Sequence, residues 1–256
     1  MTETEQIQQA VTNSTATPTI ENTFNEEDAR LFYKWLSHEP NELTEIRVIE
    51  WNTDKKDSLS TALHVNNEED FIKVCEEWNG KRQVYAGINP RYIENGTKAE
   101  HVKRVTGFPF DIDGPTPDKR HQAATDLEVK VAENWKDNLV SAIKQNFGLD
   151  LYVDFSGNGY RVCLPCDIQV TDQKEVDVKL KLFFAEYKEK LKLPDFDNIS
   201  DLPRIIKVPG VWSLKGNPTE QRPHRQAHLI HLGDTTPEAI KKVNDYILSL
   251  KVPENK

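Results

Sequence analysis

RVTGFPFDIDG, residues 104–114, carries the strongest structural signal in the chain. A mostly apolar run ends in two aspartates, Asp111 and Asp113, that alternate with Phe110 and Ile112. Successive side chains of a strand point to opposite faces, so this spacing predicts a strand with Phe110 and Ile112 in a core and both carboxylates on the other face. Two carboxylates so placed repel each other, and a hard divalent cation completed by phosphate oxygens relieves that repulsion. Gly114, Pro115 and Pro117 follow and mark a turn. A strand running into a turn explains the Gly and Pro residues but not two acids in phase.

Downstream lie a helix over roughly 122–147, strands in DLYVDF (150–155) and YRVCLPC (160–166), a Lys/Glu-laced helix over 172–192, and RIIKV (204–208). This β-α-β-β-α-β order predicts an α+β fold with an RNA-recognition-motif-like core, an antiparallel sheet carrying two helices on one face. Upstream, Asn25 caps a helix whose Leu31, Phe32, Trp35 and Leu36 recur at helical spacing. The strand TEIRVIEW (44–51) and the helix NEEDFIKVCEEW (67–78), with Phe71, Val74, Cys75 and Trp78 on one face, complete an N-terminal α/β module. The expected organisation is a flexible tail over 1–24 and one domain over 25–256. That domain divides into an N-terminal module (about 25–100), a core (about 101–232) and a C-terminal helix (about 236–250).

The 256 residues include 33 Lys+Arg against 42 Asp+Glu, a formal net charge of −9, with a pI near 5.4 and a mean hydropathy of −0.68. That balance excludes a protein that coats duplex nucleic acid by bulk charge, but not an enzyme that grips it locally. No run approaches the roughly 18 apolar residues of a spanning helix, so no membrane partner is expected. The N-terminus has neither the basic start nor the apolar middle of a secretory signal, which points to the cytoplasm. Three cysteines are too few for a disulfide scaffold. Cys163 and Cys166 form a CxxC, but three residues apart on a strand they face opposite ways, and no second CxxC exists to complete a zinc site.

Two further segments carry chemistry. FSGNGYRV (155–162) predicts a tight hairpin whose backbone N–H groups can face an anion, with the Ser156 hydroxyl and the Arg161 cation nearby. Taken alone, an ordinary Asn-Gly hairpin explains it. In PDFDNISDLPRIIKVPGVWSLKG (194–216), Asp195, Asp197 and Asp201 precede Arg204, Lys207 and Lys215. A metal-bound triphosphate needs that combination, acid for the metal and base for the phosphates.

Together the three segments resemble the archaeo-eukaryotic primase superfamily, in its plasmid and phage primase-polymerase form. The resemblance spans about Val84 to Lys215. VYAGINPR (84–91) is similar to the segment preceding the core, FDID to the paired-aspartate motif, SGNGY to the second motif and DxxRIIKVPGxxxxK to the closing segment. It implies a metal-dependent, template-directed nucleotidyltransferase, a DNA primase/polymerase that synthesises or extends primers on single-stranded DNA during plasmid or phage replication. The implied cofactor is Mg²⁺ or Mn²⁺, and the implied partners are single-stranded DNA, nucleoside triphosphates and a replicative helicase. Asp111 and Asp113 would hold the metals, joined by Asp197 as the third catalytic acid, with Asp201 and Asp195 as alternatives. Ser156, Arg161, Arg204, Lys207 and Lys215 would contact the nucleotide's phosphates, and Arg91 the nucleotide or template. Arg161 departs from the pattern, because the second motif normally ends in His; guanidinium still grips phosphate but does not change protonation near neutrality.

Two other readings follow from the same residues. FDIDGPT also resembles the DxDG motif of haloacid-dehalogenase-like phosphatases, with Asp111 as nucleophile on a doubly wound sheet, although about a hundred residues precede it here. A non-catalytic nucleic-acid-binding accessory subunit on the primase fold would instead use Tyr152, Phe155 and Tyr160 to stack bases.

Overall fold

The computed structural model describes residues 23–52, 57–118, 121–192 and 201–252. Most of the expected tail, and Asp195 and Asp197, lie outside the described residues.

Helix α1 (Glu26–Leu36) starts where the Asn25 side chain accepts a hydrogen bond from the Asp28 N–H at 3.2 Å, and three acids in its first turn complement the helix dipole. Strands β1 (Thr44–Asn52) and β2 (Asp57–Val65) form a hairpin. Helix α2 (Glu68–Trp78) is capped in the same way by Asn67, and β3 (Gln83–Gly87) follows. Ala29, Phe32, Leu36, Phe71, Ile72 and Cys75 from the two helices, with Ile46, Val84 and Ala86 from the strands, make one core. Arg30 locks the helices together through Glu68 and Glu69, each at 2.7 Å.

Strand β4 (Arg104–Asp113), helix α3 (Asp126–Phe147), the β5 (Tyr152–Phe155) and β6 (Gly159–Gln169) hairpin and helix α4 (Gln173–Lys190) follow as the sequence predicts. Phe108, Phe110, Ile112, Val162 and Leu164 line one sheet face. They pack on Leu139, Ile143 and Phe147 of α3, Phe183 and Phe184 of α4, and Val243 and Ile247 of α5 (Pro237–Ser249). From the other face Tyr152 and Cys163 enter the first core, where the Tyr152 ring lies 4.4 Å from Trp35. The sheet therefore separates two hydrophobic layers.

The final strand departs from expectation. Strand β7 (Ile205–Lys207) does not close the β4–β6 sheet; it pairs with β3, setting Lys207 opposite Tyr85 and Ile206 opposite Ala86. Ile206 and Val208 thereby fill the first core. After the short β8 (Trp212–Ser213) and β9 (Arg225–Gln226) ribbon, β10 (His228–His231) takes the place on β5. The two large sheets run β2-β1-β3-β7 and β10-β5-β6-β4. The fold is α+β with antiparallel sheets, and the strand expected to complete an RNA-recognition-motif-like sheet, β7, lies in the other sheet. Every strand pairing among the described residues is antiparallel. This overturns the doubly wound parallel sheet that the phosphatase reading requires. Among the described residues no helix is long and apolar enough to cross a membrane.

Candidate active site

The site lies where the carboxylate end of β4 faces β7 of the other sheet. Asp111 stands opposite Arg161 and Asp113 opposite Gly159 in the β4–β6 ladder. Both acids line one cleft with Tyr85, Ser156, Arg161, Arg204, Lys207 and Lys215. The sequence thus names seven residues that the fold brings together: Asp111, Asp113, Ser156, Arg161, Arg204, Lys207 and Lys215.

Glycines set the close approach at this end of the sheet. A Cβ on Gly159 would stand 2.4 Å from the Ile112 carbonyl oxygen and 2.6 Å from Asp113 Oδ1, and one on Gly114 would stand 2.1 Å from the Glu128 carbonyl oxygen. Gly159 therefore leaves room for the Asp113 carboxylate, and Gly114 lets the strand pass over the first turn of α3.

The hairpin polar groups are largely committed. Ser156 Oγ accepts from the Gly159 N–H at 3.2 Å and the Asn158 N–H at 3.4 Å, so the hydroxyl builds the turn. Asn158 accepts from the Ala124 N–H at 2.8 Å and donates to Ser213 Oγ at 2.9 Å, tying the turn to the start of α3 and to β8.

The arginines are paired. Arg161, 2% exposed, donates through Nε at 2.8 Å and Nη2 at 2.5 Å to Asp154, which has no exposure, and through Nη2 at 2.6 Å to the Lys207 carbonyl. Burial pushes the Asp154 carboxyl up, against the opposing pull of Arg161 and the Tyr152 hydroxyl. Arg204 donates to Asp201 at 2.8 Å, so the reserve choice for a third metal acid holds a cation instead.

The lysines differ. Lys207 Nζ donates to Gln83 Oε1 and lies 4.1 Å from the Tyr85 ring centroid. Burial first, then Arg161 and Lys215, hold its ammonium well below the ordinary lysine range. Among the described residues neither Lys207 nor Lys215 forms a salt bridge. Burial, followed by the fields of Asp111 and Asp113, pushes the Tyr85 phenol up to about 12, so Tyr85 is a neutral hydroxyl on the cleft wall.

Arg91 is not a site residue. It has no exposure, and its guanidinium donates to Glu45 Oε2 at 3.0 and 2.8 Å and to the Pro203 carbonyl at 2.8 Å. It braces β1 against the segment that leads into β7. Cys163 and Cys166 lie in different cores, with burial raising both thiols, and among the described residues no three His, Cys, Asp or Glu side chains group for a metal. Tyr152 and Phe155 are buried, which removes them as a base-stacking platform.

Asp111 and Asp113 supply an all-oxygen donor pair in phase on one strand face, which suits Mg²⁺ or Mn²⁺. The described residues provide two such acids, and Asp197 lies outside them.

No family model matches the sequence, and no curated protein matches it. Among solved structures, the chain is similar to the primase-polymerase domain of cyanophage S-2L, with a TM-score of 0.54 at 11% identity over 86% of this chain and 97% of that one. It is also similar to the primase RepB′, with a TM-score of 0.48 at 12% identity over 87% of this chain and 62% of that one. The polymerase domain of Mycobacterium tuberculosis ligase D gives a TM-score of 0.43 at 10% identity over 85% of this chain and 86% of that one. The antiparallel sheets, the paired aspartates at a strand end and the basic β7 wall therefore sit on a fold similar to that of the cyanophage primase-polymerase domain.

Proposed function

We propose that the chain is a metal-dependent, template-directed nucleotidyltransferase that synthesises or extends primers on single-stranded DNA. One observation carries this reading: Asp111 and Asp113 share a cleft with Lys207 and Lys215, basic groups that carry no carboxylate partner among the described residues. Acid for a metal and base for a triphosphate thus meet at one place.

Asp111, Asp113 and Asp197 would hold Mg²⁺ or Mn²⁺. Bound there, the ions would acidify the attacking 3′-hydroxyl and offset charge on the leaving pyrophosphate. Lys207 and Lys215 bind and orient the triphosphate from the opposite wall, where the fixed position of Lys207 between Gln83 and Tyr85 lowers the ordering cost of binding. Arg204, held by Asp201, and Arg161, held by Asp154, present donors that are already oriented. Ser156 shapes the turn beneath the phosphates.

Extension of a primed single-stranded template with Mg²⁺ or Mn²⁺ tests the reading. Nucleotide addition that follows template sequence and stops with chelator is expected. DNA binding without incorporation under either metal would favour a non-catalytic accessory subunit instead.

A further inference from the structure

Asp154 is buried beside the cleft and has no part in the chemistry described above. We propose that Asp154 is a positioning residue that fixes Lys207, through Arg161, on the cleft wall facing Asp111 and Asp113. The inference rests on the cleft being a nucleotide site.

Its two oxygens accept three donors: Arg161 Nε at 2.8 Å, Arg161 Nη2 at 2.5 Å and the Tyr152 hydroxyl at 2.8 Å. Asp154 and Arg161 are direct partners in the β5–β6 ladder, so the pair is oriented within one sheet. The same Nη2 then crosses to the other sheet, donating to the Lys207 carbonyl at 2.6 Å. That carbonyl belongs to β7, a three-residue edge strand whose strand neighbour is β3. A strand this short, paired on one side, is held weakly by its ladder alone. The bidentate acid fixes the plane of the guanidinium, and the guanidinium fixes the carbonyl. Lys207 Nζ, set between Gln83 and Tyr85, takes its place from that backbone position.

Loss of the Asp154 charge has a second consequence. Arg161 would remain buried near Lys207 and Lys215 without its counter-ion. The nearest acid across the ladder is Asp111, Arg161's other cross-strand partner.

The test compares wild type, Asp154→Asn, Arg161→Met and the double variant, reading the nucleotide KM and kcat and the hydrogen exchange of the amides at 205–208. Asp154→Asn is expected to raise KM at least tenfold with kcat changed less than threefold. It should speed exchange at 205–208 at least tenfold while leaving β1 unchanged, and add nothing in the Arg161→Met background. Should Asp154→Asn not fold, Arg161→Lys serves, because one ammonium cannot reproduce the fork that spans Asp154 and the Lys207 carbonyl; the same KM and exchange changes are expected. An unchanged KM, an unchanged exchange rate at β7, or additive effects in the double variant would overturn the proposal. If wild type incorporates no nucleotide, the nucleotidyltransferase reading fails on that result, and the exchange comparison alone decides whether Asp154 holds β7.

Discussion

Asp111 and Arg161 face each other directly across the β4–β6 ladder, yet the Arg161 guanidinium is committed to Asp154 and to the Lys207 carbonyl. Arg204 is likewise committed to Asp201. Each arginine's charge is therefore largely offset before any nucleotide arrives, whereas Lys215 has no carboxylate partner among the described residues, and Lys207, whose charged form is disfavoured by burial and by Arg161 and Lys215, gains a counter-ion when a phosphate binds. Lys207→Met and Lys215→Met should each raise the nucleotide KM by at least tenfold, about 1.4 kcal/mol of lost binding. Arg204→Met should cost less. Steady-state KM values across the three variants check the order, and a larger effect at Arg204 would contradict it.

Gly159→Ala brings a methyl group against the Ile112 carbonyl and the Asp113 carboxylate, at 2.4 and 2.6 Å before relaxation. The ladder must shift to admit it, with a stability loss of roughly 2 kcal/mol or more and displacement of Asp113. Denaturant unfolding together with the apparent Mn²⁺ affinity reads both effects. A variant of wild-type stability and unchanged metal affinity would show that the approach is looser than described.

Arg91 separates bracing from binding. Arg91→Met leaves the Glu45 carboxylate buried, shared with Arg47 alone, and removes the tie to the Pro203 carbonyl. Breaking such a pair from one side costs about 3–5 kcal/mol. The expected result is a marked loss of thermal stability, with nucleotide KM at low temperature close to wild type. A KM defect in stable protein would return Arg91 to the site.

His38 confers a pH dependence on stability. A carbonyl only accepts, so Nε2 donates to the Ile88 oxygen at 3.1 Å, and burial keeps the ring neutral near pH 7, which leaves Nδ1, 2.8 Å from Thr44 Oγ1, as an acceptor. Burial pushes its pKa down to about 4, with Arg104 and Arg91 adding to the shift and Glu42 opposing it. The unfolded imidazole takes a proton as pH falls through about 6.5, whereas the folded one does not until about 4. The unfolded state therefore binds more protons in that window, and stability, fully present above about 6.5, declines as pH falls, by on the order of 2 kcal/mol. Urea unfolding at pH 7 and pH 5 should show the decline, and His38→Gln should flatten it.

The sequence reveals the site more fully than the topology. Alternation in FDID places the two acids on the face opposite Phe110 and Ile112, because burial on one side leaves a strand a single choice of register. RIIKV reads as a strand, but its alternation suits either sheet. Its place beside β3 is decided by Ile206 and Val208 filling the gap among Ile46, Val84 and Ala86, a tertiary fact. HLIH at β10 is an exposed edge with a histidine at each end, so it shows no apolar period. Asp154 was within reach: a two-residue turn at Gly157-Asn158 sets it opposite Arg161, and an acid and a base facing each other across a hairpin are a legible pair. Arg91 misleads because a basic residue in a motif looks like a ligand contact, and nothing local shows that Glu45, from a distant strand, will enclose it.

The central claim is that Asp111 and Asp113 jointly hold the divalent ions on which incorporation depends. Asp111→Asn combined with Asp113→Asn keeps the side-chain shapes and removes the charge. Measured by Mn²⁺ titration and primer extension on the same preparation, this double variant should retain the wild-type circular dichroism spectrum, lose the metal-binding isotherm and add no nucleotide. Primer extension by the folded double variant at a rate near that of wild type would contradict the account.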